Sequence, residues 1–455
     1  MKDIPNSPEA RDIKNLMHPY TNARKLETEG PLVIESCDGI YVTDIHGNRY
    51  LEAMSGLWSA GLGFSDKRLV AAAARQMEKL PFYHVFSMRS HGPAIELAEK
   101  LVNMAPVPMS KAFFTNSGSE ANDTAVKMLW YRAHAMGTPE KKKVISRLKG
   151  YHGVTIVAAS MTGLPYNHTS FGLPLPGFLH VGSQHYWRDC EPGESEEEFV
   201  ARRARELEEL ILAEGPETVA AFIGEPVNGG GGVIVPPKGY WQAIQAVLDK
   251  YDILLIADEV ICGFGRTGNM FACETYGIRP DMMTLSKQIT SSYQPFSALL
   301  VNERVFGPIA DESNRIGTFG HGYTGGGHPV GAAVALETIR IIEEDGLVEH
   351  VRDVGGHMQA GLAKLAEHPL VGEHRGVGLL GALELVTDKA TKAPHGKPGA
   401  LGVIAQNRMQ AAGLISRAMG DALAFCPPMI ITHAQVDDML AITKRVLDDT
   451  AAEIA

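Results

Sequence analysis

The stretch ILLIADEVICGFGRTG, residues 253–268, joins a run of apolar residues to an acid, Asp258, and a glycine-rich segment. A continuous apolar run of this length is typical of a strand buried on both faces, as in a parallel sheet. Helical stretches separate it from similar runs at AFFT (112–115), KVIS (143–146), VAAFIG (219–224), MMTLS (282–286) and FSALLV (296–301). The alternation predicts an α/β fold with a mostly parallel sheet and helices on both faces.

The 455 residues are enough for two or three structural units. Residues 1–65 carry short β signals, and from about residue 329 the pattern loosens into long helices and short strands. We therefore predict a large domain over 66–328. A smaller α+β domain is expected from the N-terminal segment 1–65 together with the C-terminal region 329–455.

Composition excludes several classes of function. A net charge of −11 argues against nonspecific nucleic-acid binding, which needs clustered Lys and Arg. The five cysteines are scattered and lack CxxC spacing, which predicts a reducing compartment with neither a disulfide framework nor a metal site. The start, MKDIPNSPEARDIKN, has no apolar signal core, and no window approaches the roughly 20 apolar residues of a membrane span. The sequence predicts a cytoplasmic protein.

Unusual residues follow each apolar run at its carboxyl end. NSGSEAND follows AFFT, RLKGYHG follows KVIS, EPVNGGGG follows VAAFIG, and Lys287 follows MMTLS. Ligands of open α/β sheets bind outside the carboxyl ends of the strands. We therefore expect these segments and Asp258 to meet in one crevice.

Two of these residues allow both an ordinary and a chemical interpretation. Lys287 could lie at the surface with its stem on apolar residues, or be a desolvated lysine with a lowered pKa that forms a Schiff base. Asp258 could cap a helix, pair with a cation such as Arg266, or face a ring nitrogen and keep it protonated.

The other two segments supply a helix start and an aromatic ring. Gly118 and Ser119 fit a phosphate cup at a helix N-terminus, and Ser119 could equally be a plain N-cap. Tyr151, between glycines, could stack on a planar ring or simply pack in a core. A Schiff-base lysine, an acid, an aromatic face and a phosphate cup are the parts that pyridoxal phosphate (PLP) requires.

The segment GFGRTG, residues 263–268, also matches the GxGxxG pattern of nicotinamide dehydrogenases. That fingerprint must open a long apolar-periodic helix, and the following NMFACETYG does not. The dinucleotide interpretation is therefore disfavoured.

Together these motifs resemble the class III aminotransferases, fold-type I PLP enzymes of the omega-transaminase group, from about residue 15 to the C-terminus. By this resemblance the cofactor-binding residues are Gly118, Ser119, Tyr151, Glu225, Asp258, Val260, Lys287 and Thr324. It implies that Lys287 is catalytic, Tyr151 and Val260 pack on the two ring faces, and Thr324 reaches the phosphate of a neighbouring subunit. The substrate-pocket positions would be Leu57, Trp58, Phe86, Tyr151, Gly230 and Arg417.

The resemblance implies a homodimer, often a tetramer, with active sites at the interface. The expected reaction moves an amino group from a primary amine or omega-amino acid to a keto acid, with pyruvate as the expected acceptor, by ping-pong kinetics. β-Alanine, diamines or polyamines, taurine and arylalkyl amines all stay open as donors. An aminomutase or decarboxylase with the same cofactor, and a non-enzymatic regulator, are the alternatives.

The chain departs from the family pattern near the pocket. It has Gly325 and Gly326 where bulkier residues are common, and Asn228 and Gly230 where Gln and Ala are common. We expect Gly325 and Gly326 to widen the entrance of the substrate pocket, and Gly230 to enlarge the smaller of its two compartments. Arg417, in the loop-like ISRAMGD, is interpreted as a mobile arginine that binds carboxylates; the alternative is a salt bridge, for example to Asp421.

Overall fold

The computed structural model describes residues 4–454, so residues 1–3 and 455, at the ends of the two predicted terminal units, lie outside the described residues. The N-terminal segment contains α1 Pro8–Asn15, α2 Ala23–Glu29, β1 Ile34–Asp38, β2 Tyr41–Asp44, β3 Arg49–Glu52 and α3 Ser55–Trp58.

The central region alternates strands and helices as the apolar runs predict. Its elements are α4 Lys67–Lys79, α5 Gly92–Met104, β4 Lys111–Thr115, α6 Gly118–Ala135, β5 Lys143–Arg147, α7 Ile156–Met161, β6 Phe178–Val181, α8 Tyr186–Asp189, α9 Glu196–Glu214, β7 Val219–Gly224, α10 Tyr240–Lys250, β8 Leu254–Asp258, α11 Ala272–Tyr276, β9 Met282–Leu285, β10 Ser297–Val301 and α12 Glu303–Ile316. Short 3₁₀ helices lie at Pro165–Asn167, Pro216–Thr218 and Lys287–Thr290.

The C-terminal region returns to long helices and small strands. It contains α13 Pro329–Glu344, α14 Leu347–Leu365, β11 Val371–Val377, β12 Leu380–Leu385, α15 Ala400–Ala411, β13 Leu414–Ile415, β14 Arg417–Met419, β15 Ala422–Phe425 and α16 His433–Ile454. Among residues 4–454, no helix combines the length and the apolar character that a membrane crossing requires.

A seven-stranded sheet of order β4-β10-β9-β8-β7-β5-β6 forms the centre of the fold. Strands β6, β5, β7, β8 and β9 pair in parallel, and β10 is antiparallel to both β9 and β4. Strand β4 therefore runs in the same direction as β9. The carboxyl ends of β4, β5, β7, β8 and β9 all lie at one edge, as expected for ligand binding.

Helices cover both faces of this sheet. Along β8, Leu254 and Ile256 join an apolar cluster with residues of α6 and α12, whereas Leu255 and Ala257 join another with residues of α10. Alternate side chains of a strand point to opposite faces, so both faces of β8 are buried. The predicted α/β fold with a mostly parallel sheet is confirmed.

Two strands differ from the sequence prediction. Strand β6 was not predicted, because FLHV is a short edge strand that contains a histidine and lacks a long apolar run. Strand β10 was predicted as a buried strand, but its antiparallel direction was not. That direction depends on the connection from β9 and not on the residues of β10 itself.

The two ends of the chain meet in one sheet. Strand β13 pairs in parallel with β3, placing Leu414 opposite Leu51, and so completes a four-stranded sheet of order β1-β2-β3-β13. A second four-stranded sheet, β11-β12-β15-β14, is antiparallel. Helix α13, which starts at the proposed boundary near residue 329, packs against α4 and α5 of the central region. The division at residues 65 and 328 stays a proposal.

Candidate active site

The carboxyl ends of five strands surround a cavity of about 110 Å³. Its lining residues are Gly118, Ser119, Tyr151, His152, Gly153, Glu225, Asp258, Val260, Ile261, Ser286 and Lys287. Seven of the eight residues expected to bind the cofactor therefore come together in one chain. Thr324 is the eighth; its side chain is exposed and does not line this cavity.

Lys287 lies in the cavity and not on the surface as the ordinary interpretation would have it. It follows β9 and begins a short 3₁₀ helix with a positive φ of 50°. Burial lowers the pKa of the Lys287 ammonium to about 8, although the carboxylates of Asp258 and Glu225 oppose the shift. A lysine of this kind supplies a neutral amine near physiological pH.

Asp258 has one occupied and one available carboxylate oxygen. Its Oδ2 accepts hydrogen bonds from His152 Nδ1 at 2.8 Å and from Asn122 Nδ2 at 2.9 Å. Its Oδ1 accepts, among the described residues, a single long bond of 3.2 Å from the Val260 N–H. Arg266 instead donates to the Pro427 carbonyl and to Ser55 Oγ, so the proposed pairing with Asp258 is wrong.

Asn122 and His152 are candidate site residues that the sequence interpretation missed. Asn122 also donates to the His152 carbonyl at 2.7 Å, and its own Oδ1 accepts from Thr284 Oγ1 at 2.7 Å. Both residues lie within the quoted motifs, NSGSEAND and GYHG, and a polar residue one turn into a buried helix was the available signal. They fix the orientation of Asp258.

The start of α6 forms the candidate phosphate cup. Ser117 caps the helix by accepting from the Glu120 N–H at 3.2 Å, so the alternative in which Ser119 is the cap is wrong. Within residues 4–454 the Gly118 and Ser119 N–H groups have no partner, as expected for the first turn of a helix. A Cβ on Gly153 would lie 2.4 Å from Ser119 Oγ, so glycine is required there for the close approach.

Glu225 binds the backbone around the cavity. Its Oε1 accepts from the Tyr151 N–H at 2.9 Å and its Oε2 from the Gly229 N–H at 3.0 Å. Burial raises the pKa of Glu225 to about 7. A Cβ on Gly230 would lie 3.0 Å from Tyr151 Cβ, so this glycine leaves space beside the tyrosine.

Arg417 lies in strand β14, and the prediction of a loop there is wrong. Asp421 accepts from the Gly399 and Gly402 N–H groups at 2.7 and 3.0 Å, so it caps α15 and does not pair with Arg417. In the part of the chain that is described, the Arg417 side chain makes neither a hydrogen bond nor an ion pair. It lines a groove of about 990 Å³ that also contains Tyr20 and Tyr166.

The remaining pocket positions lie apart from the cavity in a single chain. Trp58 is buried in an apolar cluster that includes Ile261, and Leu57 is exposed. Phe86 lines a separate groove together with His321 and the segment that leads to Thr324. The roles of Leu57, Trp58, Phe86 and Thr324 in substrate or cofactor binding stay predictions.

One group of potential metal ligands occurs elsewhere. His185, Glu373 and Glu384 present ligand atoms within 4.8 Å of one another. Arg375 pairs with both glutamates at 2.7 Å, and Arg188 pairs with Glu384 at 2.8 Å. Because the two cations neutralise the two carboxylates, the group is an ion-pair network with no excess charge for a metal ion.

The cavity fits PLP on chemical grounds. Asp258 Oδ1 can accept a hydrogen bond from a protonated ring nitrogen. The first N–H groups of α6 can hold a phosphate, and the Lys287 amine can react with an aldehyde. These groups follow different strands at one edge of the sheet, so the fold brings them together.

Comparison with known proteins gives consistent matches over nearly the whole chain. The Aminotransferase class-III family profile matches residues 23–447. Gamma aminobutyrate transaminase 3, chloroplastic, of Solanum lycopersicum is 46% identical, with 98% of this chain and 87% of that protein covered. The omega transaminase of Pseudomonas jessenii in complex with PMP, the amino form of PLP, is 60% identical with a TM-score of 0.98, covering 98% of this chain and 99% of that one. A structure described as a transaminase with L-ala is 63% identical with a TM-score of 0.93, covering 93% and 100%.

Proposed function

The chain belongs to the class III aminotransferase family and is a PLP-dependent transaminase, and from this premise we propose that it transfers the amino group of a primary amine or omega-amino acid to pyruvate. The observation that carries the proposal is that Lys287 lines the cavity with a lowered pKa, while the Arg417 side chain has no acidic partner within residues 4–454. One residue performs proton transfer and the other is free to bind a carboxylate.

The catalytic work divides among residues of the cavity. When bound, PLP supplies an electron sink that stabilises negative charge on the substrate carbon. Asp258 Oδ1 would hold a proton on the ring nitrogen, because an opposite charge nearby typically raises the pKa of a cationic group by about 1–3. The Lys287 amine, neutral above its lowered pKa of about 8, would take the proton from the amine-bearing carbon of the donor in one half-reaction and deliver a proton to the carbonyl carbon of the acceptor in the other. The Gly118 and Ser119 N–H groups hold the phosphate.

Two features support a small keto acid as acceptor. A guanidinium binds a carboxylate through two parallel hydrogen bonds, and Arg417 is available for this. A relative 63% identical to this chain is described with L-ala, whose deaminated form is pyruvate. Relatives named gamma aminobutyrate transaminase support an omega-amino donor for the other half-reaction.

The assembly expected from the family is part of the same proposal. Thr324 and Phe86 lie away from the Lys287 cavity of their own chain, so they can serve the reaction only in a second copy of the chain. We propose a homodimer in which each copy completes the other's site.

A donor screen tests the proposal. The purified protein, loaded with PLP, is incubated with pyruvate and β-alanine, 4-aminobutyrate, putrescine, taurine or 1-phenylethylamine in turn, and L-alanine is quantified. We expect alanine from at least one donor and none from a Lys287→Ala variant. Consumption of donor without alanine would favour the decarboxylase or aminomutase alternative.

A further inference from the structure

The turn Ser55–Trp58 has an unusual backbone. Ser55, Gly56 and Trp58 have φ values of 48°, 65° and 64°, in the left-handed region. Two of these three are not glycine, and such residues are held in this region only when their surroundings enforce it. The cause of the strain must therefore lie in contacts that surround the turn.

Three side chains make those contacts. Glu52 Oε2 accepts from the Gly56 N–H at 2.6 Å. Ser55 Oγ donates to the Cys426 carbonyl at 2.6 Å and accepts from Arg266 Nη2 at 3.2 Å. Arg266 also donates to the carbonyl of Pro427, the residue after Cys426. The turn is thus held by Glu52 on one side. On the other side, the hydroxyl of its own Ser55 binds Arg266 and the Cys426 carbonyl.

The segment GFGRTG, whose glycines suggested a dinucleotide site, instead supplies Arg266 to the Ser55–Trp58 turn. The Arg266 side chain is fully buried and reaches from the large sheet to the N-terminal turn. Glu52 is buried as well, and burial raises the pKa of its carboxyl to about 7, although the N–H groups of Gly56 and Met54 and the charge of Arg266 oppose the shift. A buried acid and a buried guanidinium that both bind one strained turn are expensive to retain for stability alone.

The turn connects to the active site through its last residue. Trp58 packs in an apolar cluster with Val227 and Ile261, and Ile261 lines the Lys287 cavity. Leu57, at the tip, is 60% exposed and free to contact a ligand. A change in the shape of the turn would move both side chains together.

We infer that Glu52 and Arg266 are positioning residues that hold the Ser55–Trp58 turn in its strained shape and thereby set the amine-side wall of the substrate pocket. The inference rests on the proposed function, in which Leu57 and Trp58 line that pocket. Neither Glu52 nor Arg266 contacts substrate; they act through the turn.

The test compares a bulky and a small donor with pyruvate as acceptor, 1-phenylethylamine and isopropylamine. Glu52→Ala removes the hydrogen bond to Gly56. Because a hydrogen bond to a charged group contributes about 1.5–3 kcal/mol, we expect the KM for 1-phenylethylamine to rise about tenfold or more. The KM for isopropylamine and both kcat values should change less than about twofold, since Lys287 and Asp258 are untouched.

Three further variants separate positioning from stability. Glu52→Gln keeps an acceptor for the Gly56 N–H and should restore most of the wild-type KM. Ser55→Ala, which removes the hydroxyl between Arg266 and the Cys426 carbonyl, should raise the same KM without Glu52 being altered. Asp44→Ala is the matched control: Asp44 is another buried acid of the N-terminal segment that binds backbone N–H groups, here of His46 and Asn48. It should lower Tm and leave the donor preference unchanged.

The outcomes distinguish this inference from the function beneath it. If Ser55→Ala keeps the wild-type donor preference and Glu52→Ala only lowers Tm or the active fraction, the positioning role is wrong. An equal shift in preference for Asp44→Ala would also overturn it. A wild-type protein that transfers nitrogen from neither amine would instead count against the proposed donor class.

Discussion

The Nδ1 atom of His152 lies 2.8 Å from Oδ2 of Asp258, and within residues 4–454 the Nε2 atom of the same ring has no hydrogen-bond partner. A ring nitrogen that faces a carboxylate donates its proton. His152 Nδ1 therefore donates to Oδ2, and Asn122 donates to the same oxygen. Both bonds leave Oδ1 of Asp258 available to the cofactor.

Asp258→Asn is expected to lower kcat about ten- to a thousandfold, because an amide cannot hold the ring nitrogen protonated and the pair contributes roughly 1.4–4 kcal/mol. The measurement is steady-state alanine formation with PLP in excess. Glu259→Gln is the control, since this buried neighbour binds the N–H groups of Ala272 and Cys273 at the start of α11. Near-native turnover by Asp258→Asn would remove Asp258 from the mechanism.

Lys287 should be the lysine that carries the cofactor, and its amine should lose its proton at a lower pH than an ordinary lysine does. After removal of PLP, labelling of its amine is expected to rise as pH rises through about 8, because the lowered pKa leaves it neutral above that value and protonated below it. An unperturbed lysine becomes reactive only near about pH 10.4. Peptide mapping of the labelled protein, and of the protein reduced with borohydride in the presence of PLP, should find Lys287. A label on Lys149 would show that the site is misassigned.

Arg417→Ala should raise the KM for pyruvate about ten- to a hundredfold, since charge-assisted hydrogen bonds contribute about 1.5–3 kcal/mol. The KM for an arylalkyl amine donor should hardly change, because an apolar donor without a carboxylate makes no charge-assisted hydrogen bond to the guanidinium. The control is Arg408→Ala, which breaks the ion pair between Arg408 and Glu453. Equal losses in both half-reactions, or none for pyruvate, would mean that the carboxylate is held elsewhere.

Thr324 should affect cofactor retention through the assembly. If it binds the phosphate of the neighbouring copy, dilution to monomers releases PLP, and Thr324→Ala weakens PLP binding without changing the dimer. Sedimentation with detection of cofactor absorbance measures both properties. Thr318→Ala, an exposed threonine in the same segment, is the comparison. A monomer that retains tightly bound PLP would contradict the contact between subunits.

The sequence predicted the parts of the site that lie immediately after a strand. Lys287, Asp258 and Glu225 each follow an apolar run, and the edge they share follows from the parallel direction of those strands. The hydrogen bonds of Asn122 and His152 to Asp258 were not predicted, because they join positions 136 and 106 residues apart. Local periodicity contains no information on contacts of that kind.

The partner of a polar residue was the least predictable feature. Asp421 lies near Arg417 in the sequence, yet it binds backbone N–H groups at the start of α15, since that helix start offers unsatisfied donors nearby. Arg266 was considered for Asp258 and instead binds the Ser55 turn. Each buried polar group takes the partner that the packing brings within about 3 Å, which sequence distance does not decide.

By itself, the sequence determined the α/β class, the positions of the buried strands along the chain and the residues at their carboxyl ends. Burial and strand geometry act over a few neighbouring residues, so a local pattern is enough to predict them. The tertiary structure decided the antiparallel β10, the edge strand β6 and the pairing of Leu51 with Leu414 across the chain. It also decided the strained Ser55–Trp58 turn, and it left the Arg417 side chain without a hydrogen-bond or ion-pair partner among residues 4–454. These depend on which distant segments exclude water together, and only the folded chain fixes that.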